Sequence, residues 1–483
     1  MNKTKLLCVA LIGASLLISG CSTISSVADS VNPFDKTEAD KKAEQGAVAG
    51  EEQRISLISA DETLITSTDI TPQDVILPDV YVNEDWPMPG GNVQHAMQRT
   101  VAGGGLDRIW TRDVGDGSSR KGRVVASPVI SGGKIFVMDG ENRVSAYDAN
   151  SGAPIWRHDI KVESQGRTRE GRANIFERVT NPFGGDGGGS DKESVGGGIA
   201  AADGKLFVTS GLGTVEALEA RSGNVAWRKR LTTPMHSAPI VSNGRLFAIS
   251  DDNELFALNS ATGEVLWTYQ GIVESARMLT SPSPAVIDDV VIAPFSSGEL
   301  VALRVQNGVV LWQDALSSPG RLTPLSSLND IASGPVIADG YVIATAQSGV
   351  ISAFDLRNGQ RIWSQPAGSL GYPWVAGDFV FTITTNGEIV CLSKISGDVV
   401  WTKQLRAFKN EKKRKERIAW AGPIMLGDKM LVVSSRGEAV EFNPYDGSIV
   451  REYKLKDPVF VPPIIANQTV YILDDKARLT ALR

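Results

Sequence analysis

The sequence predicts an all-β fold, an eight-bladed β-propeller with four-stranded blades. Three observations carry that expectation. A short phrase ending in Gly and Trp recurs at a fixed internal spacing. β-Branched and aromatic runs alternate with Gly- and Asn-rich turns. No helical periodicity is sustained in the body of the chain. The chain has 483 residues, a formal charge of −6, 42% hydrophobic and 22% charged residues. This composition excludes a wholly disordered, collagenous or multi-span membrane protein. Three cysteines (Cys8, Cys21, Cys391) exclude a disulfide framework, and three scattered histidines (His95, His158, His236) argue against a histidine-rich metal site.

The repeat reads apolar-x-small-Leu, four residues, Gly, three residues, Trp. Its small position is Ala146, Ala217, Ala257, Ala302, Ala353 and Cys391. Ten residues after each stands Trp156, Trp227, Trp267, Trp312, Trp363 and Trp401, and four before each tryptophan stands a glycine. A seventh copy is degenerate, with Glu441, Gly447 and Arg451 in the three slots. An eighth begins at Leu479-Thr480-Ala481-Leu482 and meets the end of the chain at Arg483. The missing tryptophan segment is found at the other end, in residues 106–112 around Trp110, with no Ala-Leu segment before it. A ring accounts for both ends: the strand around Trp110 completes the last blade, and closure leaves no open sheet edge along the array. The tryptophans are expected to dock one blade on the next. Cys391 is expected to be a small buried residue. A proline (Pro128, Pro239, Pro284, Pro335, Pro373, Pro423, Pro463) precedes most units. The propeller is expected over residues 86–483.

The N-terminus reads as an address. A basic start with Lys3 and Lys5 precedes a thirteen-residue apolar run, Leu6 to Ile18. That run is shorter than the roughly twenty residues needed to span a bilayer. Ile18-Ser19-Gly20-Cys21 follows and resembles a bacterial lipoprotein box. A signal peptide over residues 1–20 and a lipidated Cys21 are expected. Ser22 fits sorting to the outer membrane of a Gram-negative cell, facing the periplasm. Residues 22–85 hold fourteen Asp/Glu against four Lys/Arg, a net of −10, so the acidity of the chain lies there. Residues 21–85 are expected to form a flexible acidic stalk.

The repeat resembles the tryptophan-docking repeat of the pyrroloquinoline-quinone propellers. Together with the lipoprotein box it is similar to the BamB family of outer-membrane β-barrel assembly lipoproteins. The likeness is strongest in residues 294–303, in 333–363 and in Val461-Pro462-Pro463. The resemblance implies a non-catalytic scaffold in the Bam complex that binds the POTRA domains of BamA, with unfolded outer-membrane proteins as further partners. It implies a contact surface on two neighbouring loops. Arg277, Met278 and Leu279 mark the first; Asn329 and Asp330 mark the second. Ala332 stands where the family has another acidic residue. The alternative for the first loop is a solvated loop with Met278 and Leu279 tucked beneath the ring.

Two other functions place different demands on the residues. A quinoprotein dehydrogenase needs a cofactor clamp, Ca²⁺ held by oxygen ligands and a carboxylate base. The mature chain lacks the adjacent cysteines frequent in that clamp, and no acidic cluster has ligand-like spacing. No catalytic residue, cofactor or metal is therefore expected. A polysaccharide-binding propeller would need exposed aromatics, and only Trp86, Trp374 and Trp420 lie off the docking positions. The glycine-rich insertion 161–198 lacks the strand, helix and Gly-Lys-Ser/Thr of a phosphate loop, so a flexible loop is expected. The basic run 409–417 reads as a solvated loop, with an acidic partner surface or lipid headgroups as the alternative. Nucleic acid is not expected as a partner.

Overall fold

The computed structural model describes residues 64–120, 122–160, 196–231, 233–235, 237–274, 282–316 and 330–483. They form eight four-stranded antiparallel sheets and one two-stranded hairpin. Blades 1 to 7 are contiguous: 129–159, 197–230, 240–270, 285–315, 336–365, 374–404 and 420–454. Blade 8 takes three strands from residues 464–482 and its fourth from Arg108–Asp113, which pairs with Arg478–Leu482. The ring closes as the split repeat required. First strands of successive blades touch around the axis. They are mostly short and largely buried, while fourth strands such as those of blades 1 and 3 alternate between exposed and half-buried positions.

The ten-residue spacing is the register of the third and fourth strands. The small residue and the tryptophan are direct cross-strand partners in every blade that has both: Ala146 faces Trp156, Ala217 Trp227, Ala257 Trp267, Ala302 Trp312, Ala353 Trp363 and Cys391 Trp401. Across the ring closure Ala481 faces Trp110. A bulge follows the small residue in each of the contiguous blades. The reason for a small residue is visible on its other side. Phe136, Phe207, Phe247 and Phe381 pair with it from the second strand. Only a methyl or thiol between them lets phenyl and indole approach to centroid distances of 5.8–6.2 Å. Cys391 is fully buried, and burial pushes its thiol pKa well up.

Each indole then reaches the next blade. Trp363 Nε1 donates to Lys394 O at 2.7 Å, and a Cβ added to Gly397 would stand 2.6 Å from the Trp363 ring. The same pair recurs from Trp110 on Gly152 to Trp401 on Gly447, with indole donors at 2.7–3.2 Å from a turn carbonyl. The glycine is needed twice, for its positive φ (+78° at Gly397) and for the bare face the ring lies on. Blade 7 keeps the hydrogen bond but not the ring: Arg451 Nη1 donates to Gly105 O at 3.0 Å, just ahead of the closing strand. Its cross-strand partner Glu441 is buried and is held by Lys429 at 3.0 Å.

The folded body begins earlier than the expected boundary at Trp86. Val75 and Leu77 are buried in the main core. Thr66 pairs with Val399 on the outer strand of blade 6, and Ser67 N donates to Val399 O at 2.8 Å. Val400, just before the docking tryptophan, is therefore 3% exposed, whereas Ile155, Leu266 and Ile362 at the same position are 42–44% exposed. The stalk expected over residues 21–85 thus gives up its last part to the propeller. Its polar text hid the few apolar residues that anchor it.

Residues 83–103 form a strap across one mouth of the ring. Trp86 exchanges backbone hydrogen bonds with Ile130 of blade 1. Pro87 O accepts from Ala201, Val93 O from Val286, Gln94 O from Ile337 and Thr100 O from Gly427. Gln98 takes the Trp374 indole N–H and the Gly377 N–H of blade 6, and Asn83 O accepts from Asn467 of blade 8. Seven of eight blades are so engaged. Met88 joins the core cluster of blade 3. His95 sits buried at the centre, where Nδ1–H donates to Pro335 O at 2.7 Å and the ring meets Tyr372 edge-on. Desolvation pushes its pKa down to about 4.

Two predictions follow from this packing. Trp363→Ala costs about 3–5 kcal/mol in urea unfolding, and Gly397→Ala costs more than about 1 kcal/mol because the added methyl meets both the ring and an unfavourable φ. The second concerns pH. The folded state holds His95 neutral while the unfolded chain protonates near 6.5, so this contribution is complete above that pH. It drains away as the pH falls from about 6.5 toward about 4, a loss of about 3 kcal/mol. His95→Gln should flatten that part of the stability profile.

Candidate functional site

The fold separates two faces. One carries the turns between first and second strands and is covered by the strap. The other carries the turns between second and third strands and every connection from one blade to the next. Both loops expected to contact a partner leave and return on this second face, after blades 3 and 4.

Their bases meet at one turn of blade 4, residues 294–299. Coming out of blade 3, Gly271 N donates to Asn253 O, Asn253 Nδ2 donates to Ile272 O at 2.6 Å, and Ile272 N donates to Glu299 Oε2 at 2.8 Å. Ser297 Oγ also donates to Glu299 Oε2, at 2.8 Å, which fixes the carboxylate. With the backbone so pinned, the side chains of Ile272 and Val273 are left 59% and 60% exposed. On the far side, Leu316 is buried and its N–H donates to Gly298 O. The chain re-enters at Asp330, whose carbonyl accepts from Gln347 N at 2.9 Å, and Ile331 N donates to Phe295 O.

The individual residues fare differently. Arg277, Met278, Leu279 and Asn329 lie outside the described residues, as does Cys21. Asp330 was expected on an exposed loop, but it is 1% exposed. It precedes Ile331, which enters the core between blades 4 and 5 and draws Asp330 in with it. Its backbone sits at the base of the loop, where the carbonyl is held by Gln347. Sequence reading missed Ile272 and Val273. Their signal was an apolar pair directly after Gly271, where a solvated turn would be polar.

Near the axis, Trp86, His95, Tyr372, Trp374, Pro423 and Pro463 line a cavity of about 30 Å³. Small-molecule sites run to about 300–1,000 Å³, so this axial cavity, as the described residues form it, is too small for a tricyclic quinone. Nor do these residues include a group of three or more His, Cys, Asp or Glu positioned for a metal ion.

The comparisons with known proteins bear on this geometry. The family described as Outer membrane protein assembly factor BamB matches residues 101–175 and 175–403. Proteins of that name are similar over most of their length. The one from Moranella endobia is 24% identical over 71% of this chain and 81% of its own, and that from Yersinia pestis 25% identical over 76% and 86%. Among solved structures, BamB from Moraxella catarrhalis superposes with a TM-score of 0.61 at 16% identity, covering 78% of this chain and all of that one. A europium-containing methanol dehydrogenase superposes with a TM-score of 0.60 at 14% identity, over 83% of this chain and 89% of its own. At such identities both likenesses concern the fold alone. The family match takes in more than half of the sequence, from just ahead of the closing strand to the outer strand of blade 6, and the chain belongs to the family of the outer membrane protein assembly factor BamB.

Proposed function

We propose that this protein is a non-catalytic scaffold of the outer-membrane β-barrel assembly machinery. It is anchored through lipidated Cys21, faces the periplasm, binds the POTRA domains of BamA and assists insertion of outer-membrane proteins. The observation that carries the reading is the meeting of two loop bases on the 294–299 turn of blade 4, beside the exposed Ile272 and Val273. A preordered apolar pair next to an arginine-bearing loop has the chemistry of an interface anchor, since Arg and large apolar groups carry much of the energy of protein contacts. Arg277, Met278, Leu279 and Asn329 are the further contact residues of this reading. The small axial cavity supports a scaffold over a quinone enzyme.

The partner surface is tested with Arg277→Glu combined with Val273→Asp. Co-purification with BamA should fall at least about thirtyfold in affinity, the scale of a hot spot, while the melting temperature stays unchanged. Undiminished capture would remove the site from these loops. Cys21→Ala should release the protein from washed membranes into the soluble periplasmic fraction; retention after a high-salt wash would refute the anchor.

A further inference from the structure

The basic run between blades 6 and 7 is an ordered hairpin. Phe408–Asn410 and Lys415–Arg417 pair antiparallel, Phe408 with Arg417 and Asn410 with Lys415, around a tip at residues 411–414. Residues 406–417 hold seven Lys/Arg and two Glu, a net of +5. From residue 86 onward the chain sums to +2, so everything else in the body sums to −3. Positive charge is gathered into one projecting element.

The hydrogen bonds divide its cations into two groups. Arg406 is spent on bracing: it donates to Phe408 O, Lys409 O and Glu438 of blade 7. Arg417 donates to Asn386 Oδ1 at 2.8 Å and to Thr385 O in a turn of blade 6. Both carboxylates are committed to the same frame. Glu411 accepts the Ala407 and Phe408 N–H groups, and Glu416 pairs with Lys409 and Arg436. Arg414 lies over the Phe408 ring at 5.6 Å. What remains is Lys412, Lys413 and Lys415. All three are exposed, and none has an ion-pair partner among the described residues. The hairpin thus uses its arginines and Lys409 to hold its shape, while Lys412, Lys413 and Lys415 face outward.

At its base lies a groove of about 380 Å³, lined by Leu405, Trp420, Ile449 and Tyr453, with Arg406 held on Glu438 and with Glu452 and Lys454 also on the wall. The Trp420 indole N–H donates to Arg406 O at 3.0 Å, so the groove wall and the hairpin base are one assembly. Tyr453 Oη is buried there without a hydrogen-bond partner. An aromatic and aliphatic wall beside a basic arm fits an amphiphile whose anionic head lies on the exposed lysines rather than among the groove carboxylates. The free cations are lysines, mobile point charges suited to a fluid layer of phosphates. Arg406 and Arg417, whose planar forks would suit fixed carboxylates on a protein, are already hydrogen-bonded, which leaves Arg414 on the Phe408 ring as the remaining guanidinium.

We infer that the hairpin 405–419 and the groove at its base bind anionic phospholipid, docking this face on a bilayer through the headgroup phosphates. The inference stands apart from the BamA-binding loops and does not require them.

The test uses the exported full chain carrying Cys21→Ala, so that no acyl anchor contributes, with flotation on vesicles of phosphatidylglycerol and phosphatidylethanolamine (about three to seven) or of phosphatidylcholine alone. The chain should float with the anionic vesicles at low salt, stay behind with phosphatidylcholine and detach as salt rises. Lys412→Gln, Lys413→Gln and Lys415→Gln together should weaken partitioning on the order of 100-fold, about fivefold per charge, with an unchanged melting temperature. Trp420→Ala, checked by the same melting curve, should weaken it further. Equal binding to both vesicle types, or a triple variant that floats as well as its parent, overturns the proposal. So does failure to float on anionic vesicles combined with lysine-dependent retention on a polyglutamate matrix, an outcome that would assign the hairpin to an acidic protein surface.

Discussion

An indole lying on a glycine is the contact on which this architecture depends. A propeller blade is a twisted sheet of four strands whose two faces must both be covered by its neighbours. The tryptophan of each fourth strand meets that need in one step. It packs over the small residue of its own blade, spreads across the glycine turn of the next and donates a hydrogen bond to a carbonyl there. The contact is both apolar and directional, so it fixes the angle between blades as well as their adhesion. Because seven such contacts and one arginine hydrogen bond close on themselves, each blade junction is held by the others. The single blade that lacks the ring, at Arg451, keeps the carbonyl hydrogen bond and lies next to the seam where the chain ends meet.

Closure of the ring leaves two mouths, and they are treated differently. The strap formed by residues 83–103 hydrogen-bonds to the first strands of seven blades or to the turns that follow them, and places Trp86 against Trp374 near the axis. That mouth is sealed by groups that need no ligand. The other mouth carries the inter-blade connections, and there local features differ from blade to blade. Between blades 3 and 5 an exposed apolar pair is held beside two converging loops. Between blades 6 and 7 a braced hairpin projects lysines. A rigid ring with one sealed face and one variable face is a platform, and its specificity is carried by the loops rather than by the repeat.

The residue text determined a great deal here without coordinates. A spacing of ten between Ala and Trp is the sum of a hairpin register and a bulge, so it encodes strand pairing directly; the split repeat at Trp110 and Ala481 encodes closure. These are local or periodic constraints, and repetition makes them visible above the noise of single residues. The identity of the docking contact was legible for the same reason: seven tryptophans in one slot can only be structural. What stayed hidden occurs once. The strap from Asn83 to Gly103 has no period, and its hydrogen bonds reach residues up to several hundred positions away. The docking of Thr66 on Val399 likewise depends on an edge that exists only after blade 6 has formed. The depth of Asp330 was not legible either, because Ile331 behind it draws it into a core that forms only when blades 4 and 5 meet. Charge counts showed a basic run at 409–417 but not which cations are free, because that depends on where Glu438, Asn386 and Arg436 come to lie. Periodic backbone pairing was therefore written into the sequence, whereas the sealed mouth, the converging loop bases and the unpaired lysines were decided by contacts between distant residues, which no local pattern can specify.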